Sequence, residues 1–178
     1  MFEPSLLERS QIIEDVLQPN LRLVFCGTAL GRTSAAVKAY YAHPRNLFWS
    51  VLDDVGFTAA GRPLRPAEYR RVLEFGIGLT DLCKFACGND NDLPRSAFDS
   101  PELLRKIDRY RPKYLAFTSK NAGRVFCGAK AELGWQTPTS MGTQIYILPS
   151  TSPAARWQWD ANKAHWQNLA SAVLSPSS

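Results

Sequence analysis

The sequence predicts an α/β protein, a three-layer α/β/α sandwich on a small, largely parallel central sheet. Three observations predict it. Short apolar runs (residues 21–26, 113–118 and 143–148) alternate with segments of helical spacing, the pattern of strands joined by helical crossovers. The first run breaks at Gly27-Thr28-Ala29-Leu30-Gly31 and the last at Pro149-Ser150-Thr151-Ser152-Pro153, so a special loop follows each. The 178 residues hold no repeat and no low-complexity linker, which fits one domain spanning 1–178.

Taken in order, residues 5–17 space Leu6, Leu7, Ile12, Ile13, Val16 and Leu17 as one face of a helix, ended by Pro19-Asn20. The first strand follows at 21–26, then a loop over 27–45 with two glycines. A helix over 46–55 stops at Gly56. Residues 57–66 form a loop, and 67–75 a short basic helix with Arg70 and Arg71. Residues 76–82 read as a short strand or extended turn, and 83–100 as mostly loop, with Asn89, Asp90, Asn91 and Asp92. Asp99 or Ser100 caps the next helix, with Pro101 at its first position. After strand 113–118, Ser119 caps a helix that reaches Phe126 and ends at Gly128. Residues 134–142 form a loop, 143–148 the last strand, 149–156 a second special loop, and 160–174 a terminal helix with a frayed tail. In such sheets the loops after the strands meet at the carboxyl edge, where the site is expected.

Composition bounds the function. No apolar run reaches the roughly 18 residues of a membrane span. The N-terminus MFEPSLLERS carries acids and no long apolar core, so it does not read as a signal peptide and a cytoplasmic location is expected. A net charge of +5 and a pI near 9.2 are compatible with a polyanionic partner. Of the four cysteines, Cys26, Cys83, Cys87 and Cys127, the middle two are spaced to share a helix face. With no C-x-x-C pair, none is assigned to a disulfide or metal. Nothing in the sequence demands more than a monomer.

Two segments together carry a resemblance. The first has Gly27 and Gly31, then Tyr41, Ala42, His43, Pro44, Asn46, Phe48 and Trp49; the second runs from Leu148 to Ala154. Their order and wording resemble the uracil-DNA glycosylase superfamily, in particular the mismatch-specific uracil/thymine-DNA glycosylases. Tyr40 to Asn46 and the second segment also resemble the hypoxanthine-DNA glycosylase branch. The likeness covers roughly residues 21–156.

The resemblance implies a monofunctional DNA glycosylase of base-excision repair. It would extrude a nucleotide from DNA containing uracil, or another deaminated base such as hypoxanthine or xanthine, and release the base by water attack at C1′. Free uracil would be a product, with no cofactor, no metal and no membrane. Some superfamily members hold an iron–sulfur cluster through four cysteines. Tyr41 takes the place of an aromatic that stacks on the flipped base, while one of Tyr40 and Tyr41 is expected to be core. Gly27, Thr28 and Ala29 would offer backbone N–H groups to the base, and Ser152 would face it.

Two positions depart from the pattern. Ala29 stands where the family's first loop carries the Asn that positions water, and a methyl group cannot do so. Asn46 is the first replacement, Asp81 the second as a general base, and Ser152 is also in reach. Asn46 reads equally as a helix cap. His43 either donates to the leaving base or holds the turn. In the second loop Ala154 replaces the leucine that plugs the hole left by the flipped base; Arg156, Trp157 or Trp159 could serve instead, one of the two tryptophans packing the terminal helix. Ser150, Thr151, Arg32, Arg45, Lys38 and Lys120 are candidate phosphate contacts. The alternative function is a catalytically weak or inactive uracil-DNA-binding protein of the same fold, which Ala29 motivates. No lysine stands in a motif expected of a Schiff-base nucleophile, so strand cleavage is not expected.

Overall fold

A computed structural model of the chain describes residues 10–176. Its centre is strand β1, Leu23–Leu30, whose alternating side chains feed two cores. Leu23 and Phe25 join one core; Val24 and Cys26 join the other. Five strands make one sheet in the order β2-β1-β3-β5-β4: β2 is Ile77–Cys87, β3 Tyr114–Phe117, β4 Gly134–Gln136 and β5 Gln144–Ile147. All neighbours are parallel except β4, which runs antiparallel to β5.

Short α1, Arg32–Val37, follows β1. The first core is filled by α2, Phe48–Asp54, and α5, Trp159–Leu174, through Phe48, Leu52, Trp166 and Leu169. The second is filled by α3, Ser100–Tyr110, and α4, Lys120–Cys127, through Leu103, Ile107 and Ala122. The predicted three-layer α/β fold is thus observed. Each fully buried large side chain is worth roughly 1.5–3 kcal/mol. That outweighs the propensity differences within the helices, at most about 1 kcal/mol per ordinary residue.

Local signals placed several boundaries. Asp99 accepts from the Glu102 N–H at 2.9 Å and Ser119 from the Ala122 N–H at 3.0 Å, capping α3 and α4 as expected. Gly128 ends α4 with φ 113°. The predicted basic helix is a 3-10 helix, Pro66–Phe75. Another, Pro153–Gln158, leads into α5. Among the described residues no helix is long and apolar enough to cross a membrane.

Four expectations were overturned. The first half of the predicted N-terminal helix lies outside the described residues, and so do Ser177 and Ser178 of the tail. Residues 10–17 are not helical: Val16 bridges Leu79 antiparallel, and the Ile12 N–H donates to the Lys84 carbonyl at 3.0 Å. This segment covers the open edge of β2, satisfying backbone groups that an edge strand leaves unpaired. Residues 27–30 are not loop but the end of β1, because Gly27 and Ala29 pair with Asp81 and Cys83. By the same pairing β2 runs on to Cys87, so Cys83 and Cys87 lie on a strand rather than a helix. Finally, β4 arises inside the predicted loop 134–142 through pairing with β5.

One glycine tests the packing of the second layer. Gly123 in α4 lies on Ile147 of β5; a Cβ there would stand 2.5 Å from Ile147 Cγ1 and 2.8 Å from Cγ2. Helix propensity favours Gly123→Ala by about 1 kcal/mol, but overpacking a buried site costs about 1–3 kcal/mol. The variant is expected to lose about 1 kcal/mol net by urea denaturation, and Ile147→Val is expected to restore part of it.

Candidate active site

The site forms where the strands end unequally. The β1–β3 ladder stops at Cys26 and Phe117, yet β1 continues to Leu30. Among the described residues its β3-facing side therefore has no strand partner over the last four residues, Gly27, Thr28, Ala29 and Leu30. Asp81 of β2 pairs with Gly27, and a Cβ at position 27 would overlap its carboxyl group, so only glycine permits the contact.

Asp81 is 6% exposed. It accepts a backbone hydrogen bond from Gly27, while its Oδ2 is buried without a partner among the described residues. Burial raises its pKa to about 7; Lys84, Lys106 and the Gly27 hydrogen bond oppose the rise, and Asp15 adds to it. A carboxyl group poised there can exchange a proton at neutral pH.

Tyr41 stands beside it. Its hydroxyl is 3.1 Å from Thr118 Oγ1, and its ring stacks on Phe48 with centroids 3.7 Å apart and planes at 15°. Burial, then the Asp81 charge, hold the phenol well above its usual pKa, so it is a neutral hydrogen-bonding group. The backbone there has φ 51°, a costly conformation for a residue with a side chain. Tyr40 is the core member of the pair: it is 1% exposed, and its carbonyl accepts from the Trp49 indole at 3.1 Å.

The turn at 43–46 is built by its own side chains. The Arg45 N–H donates to His43 Nδ1 at 3.1 Å, and the Asn46 N–H to the His43 carbonyl at 2.8 Å. A neutral His43 that accepts through Nδ1 carries its proton on Nε2. Asn46 Oδ1 accepts twice: from the Phe48 N–H at 2.9 Å, capping α2, and from Thr151 Oγ1 at 2.9 Å. The Leu47 N–H donates to the Thr151 carbonyl at 3.0 Å. Two donors use both lone pairs of that oxygen, leaving only the Nδ2 donors for a ligand. Asn46→Ala is expected to cost about 1–2 kcal/mol of stability, the loss of a cap and a buried partner, read by thermal denaturation.

The two special loops are therefore tied together. Tyr41, His43, Arg45, Asn46, Trp49 and Arg156 are among the residues lining one cleft of about 320 Å³. Thr151, read as a phosphate contact, is buried, and its hydroxyl is spent on Asn46; it holds the loop instead. Ser150 accepts from the Ser152 N–H at 3.1 Å and keeps its own proton to donate. Trp159 packs against the first core, whereas Trp157 is 80% exposed. Arg45 and Arg156 are exposed, and Arg32 lies 3.9 Å from Asp92. Lys120 is paired with Glu132, so it is not a free phosphate contact. His165, on α5, is half-buried, its Nδ1 3.1 Å from the Tyr146 hydroxyl.

Sequence reading missed Thr118 and Asp90. Asp90 accepts from Thr28 and from Asn121, the latter at 2.8 Å, and folds the loop after β2 over the end of β1. Thr118 directly follows a strand and was open to the carboxyl-edge rule; Asp90 sits in a polar run with no distinguishing signal.

Cys26 and Cys83 are buried in strands while Cys87 and Cys127 are exposed. Among the described residues no group of three or more His, Cys, Asp or Glu is gathered for a metal, so the residues present do not fit a cluster. A larger cavity, about 560 Å³, lies among α3, α4 and β4. Its apolar lining includes Leu104, Phe126 and Ile145, and its one titratable group is Cys127. Its polar lining, Ser100, Gln136, Thr137, Thr139 and Ser140, is uncharged, whereas the cleft carries His43, Arg45 and Arg156.

A family model described as the uracil DNA glycosylase superfamily matches residues 14–173. Among solved structures, the chain is similar to the solution NMR structure of a "putative Uracil DNA glycosylase" from Methanosarcina acetivorans. The TM-score is 0.66 at 18% identity, covering 92% of this chain and 97% of that one. At that identity the likeness concerns the fold.

Proposed function

Because the chain belongs to the uracil DNA glycosylase superfamily, we propose that it is a monofunctional DNA glycosylase that excises uracil, and with it other deaminated bases such as hypoxanthine or xanthine, during base-excision repair. One observation carries the reading. The hydrogen bond from Thr151 to Asn46 fastens the first and second special loops into a single cleft, with Tyr41 in its wall and Asp81 beside Tyr41.

In this reading the extruded base stacks on Tyr41, whose other face is braced by Phe48. Gly27, Thr28 and Ala29 present their unpaired strand edge to the base, and Asn46 Nδ2, the His43 Nε2–H and the Ser152 hydroxyl donate to its carbonyl groups. Asp81, ionised, takes a proton from the attacking water as its oxygen bonds to C1′ and the N-glycosidic bond breaks. The bond's electron pair leaves with the base, and those donors stabilise the departing anion. Trp157 fills the gap in the duplex, while Arg32, Arg45, Ser150 and Arg156 hold phosphates. Thr151 acts only through Asn46. The protein works as a monomer and needs no metal.

The test is base release from an oligonucleotide with one uracil, single-stranded or opposite guanine, with hot alkali added to reveal abasic sites. Cleavage only after alkali supports the reading; cleavage without alkali overturns its monofunctional part. Ala29 and the sealed Oδ2 of Asp81 favour the second reading, recognition of uracil-DNA without turnover. Salt-sensitive binding with no product from uracil, hypoxanthine or xanthine at enzyme excess would select it.

A further inference from the structure

A second set of charged groups lies at the open edge of β2, and the chemistry above does not use it. Lys84 is 6% exposed, and its Nζ donates to Asp15 Oδ1 and to the Tyr40 hydroxyl, both at 2.9 Å. Lys106, on α3, reaches Asp15 Oδ2 at 2.6 Å. Thr80 donates to Asp15 Oδ1 at 2.7 Å. Asp15 thus joins the segment before β1 to a lysine on β2 and another on α3. A buried lysine is costly unless paired and hydrogen-bonded, which this one is.

The residues that the cluster grips are the sequence neighbours of the site. Thr80 precedes Asp81, and Tyr40 precedes Tyr41. The backbone hydrogen bonds of the covering segment, from Ile12 to Lys84 and between Val16 and Leu79, fall on either side of Asp81 along β2. Two lysines against one aspartate leave a surplus positive charge, which an ionised Asp81 would balance.

We infer that Lys84 is a positioning residue of the site: with Asp15 and Lys106 it forms a buried ion cluster that fixes Asp81 and Tyr41 relative to one another and supplies the positive charge that Asp81 faces. The inference rests on the role proposed for Asp81, although the cluster itself does not depend on it. The charged and titratable groups around Asp81 are Lys84 on its own strand, Asp15 on the covering segment, Lys106 on α3, Cys26 on β1, and Tyr40 and Tyr41 after α1. The lysines lower its pKa and Asp15 raises it.

The signs give a test that a merely structural role would not pass. The titration of the Asp81 carboxyl carbon is followed by NMR in the full chain, in Lys84→Met, Lys106→Met and Asp15→Asn. Both lysine variants are expected to move the midpoint upward by more than about half a pH unit, and Asp15→Asn to move it downward by a similar amount, as loss of a nearby charge of either sign requires. Lys84→Arg is expected to restore the original midpoint in part. Lys106 is less enclosed than Lys84, and methionine keeps most of its stem packing, so that variant decides the matter if Lys84→Met fails to fold. Midpoints unmoved in the folded variants, or moved in one direction by all three, would overturn the inference. If the midpoints move as expected but no form of the protein releases a base, the cluster stands and the glycosylase reading falls. If base release is observed, its acidic limb should follow the same shifts.

Discussion

Replacing Asp81 with Asn is expected to lower base release by about 10²–10⁴-fold at pH 8, the usual contribution of a general base, and at the same time to make the protein more stable there. The wild-type rate should rise with pH and level off above the carboxyl pKa of about 7. The variant's residual rate should lack that limb. The stability change has a definite sign. Burial raises the folded-state pKa from 3.8 to about 7, so the folded protein binds the proton more tightly than the unfolded chain does. The resulting stability is fully present below about pH 4 and is lost as pH rises through about 7. An amide carries no such dependence. Urea denaturation should therefore show little difference at pH 4, and an advantage of about 1–3 kcal/mol for Asp81→Asn at pH 8, less than the full shift implies because the Gly27 hydrogen bond weakens. Equal activity in both proteins would remove Asp81 from the mechanism, and a variant less stable at pH 8 would show that its carboxylate is not strained by burial.

Trp157→Ala should separate DNA handling from folding. With 80% of its surface exposed, the side chain contributes little to stability, and denaturation is expected to shift by less than about 0.5 kcal/mol. Excision from duplex DNA should fall about 5–100-fold, the equivalent of one lost base–aromatic contact. A single strand has no partner base and no gap to fill, so its loss should be smaller, and Trp157→Phe should retain much of the duplex activity. Equal losses on both substrates would mean that Trp157 binds the backbone rather than the gap. No loss on either would pass the role to Arg156.

The sheet was legible because its central strands are short continuous apolar runs. Leu23 to Cys26 are apolar throughout because both faces of β1 are covered, one by each core. Caps were legible for the same local reason, since Asp99 and Ser119 bond only three residues ahead. What could not be read was pairing. Residues 83–87 lead straight into the polar run 89–92 and read with it as loop, yet they extend β2 because β1 lies alongside. The segment from Ile12 to Leu17 has helical spacing, yet it lies extended because the β2 edge offers backbone partners that its side-chain pattern does not encode.

The candidate site divides in the same way. Tyr41, His43, Asn46 and Arg156 were named from their residue types and order, and they meet around one cleft. Whether Asn46 faces water or caps a helix was undecided in the sequence, because both uses need the same amide. The decision came from Thr151, 105 positions away, whose hydroxyl takes the second lone pair. Likewise Trp157 and Trp159 are indistinguishable as letters; packing buries part of one and leaves the other exposed. The sequence by itself determined the fold class, the family and the residues of the two special loops, since these follow from local periodicity and residue order. The tertiary structure alone decided which carboxyl is sealed beside Gly27, which lysines surround it and which hydrogen bonds each site residue still has free. Those properties arise from contacts between segments far apart in the chain, where burial and charge act through space rather than along the sequence.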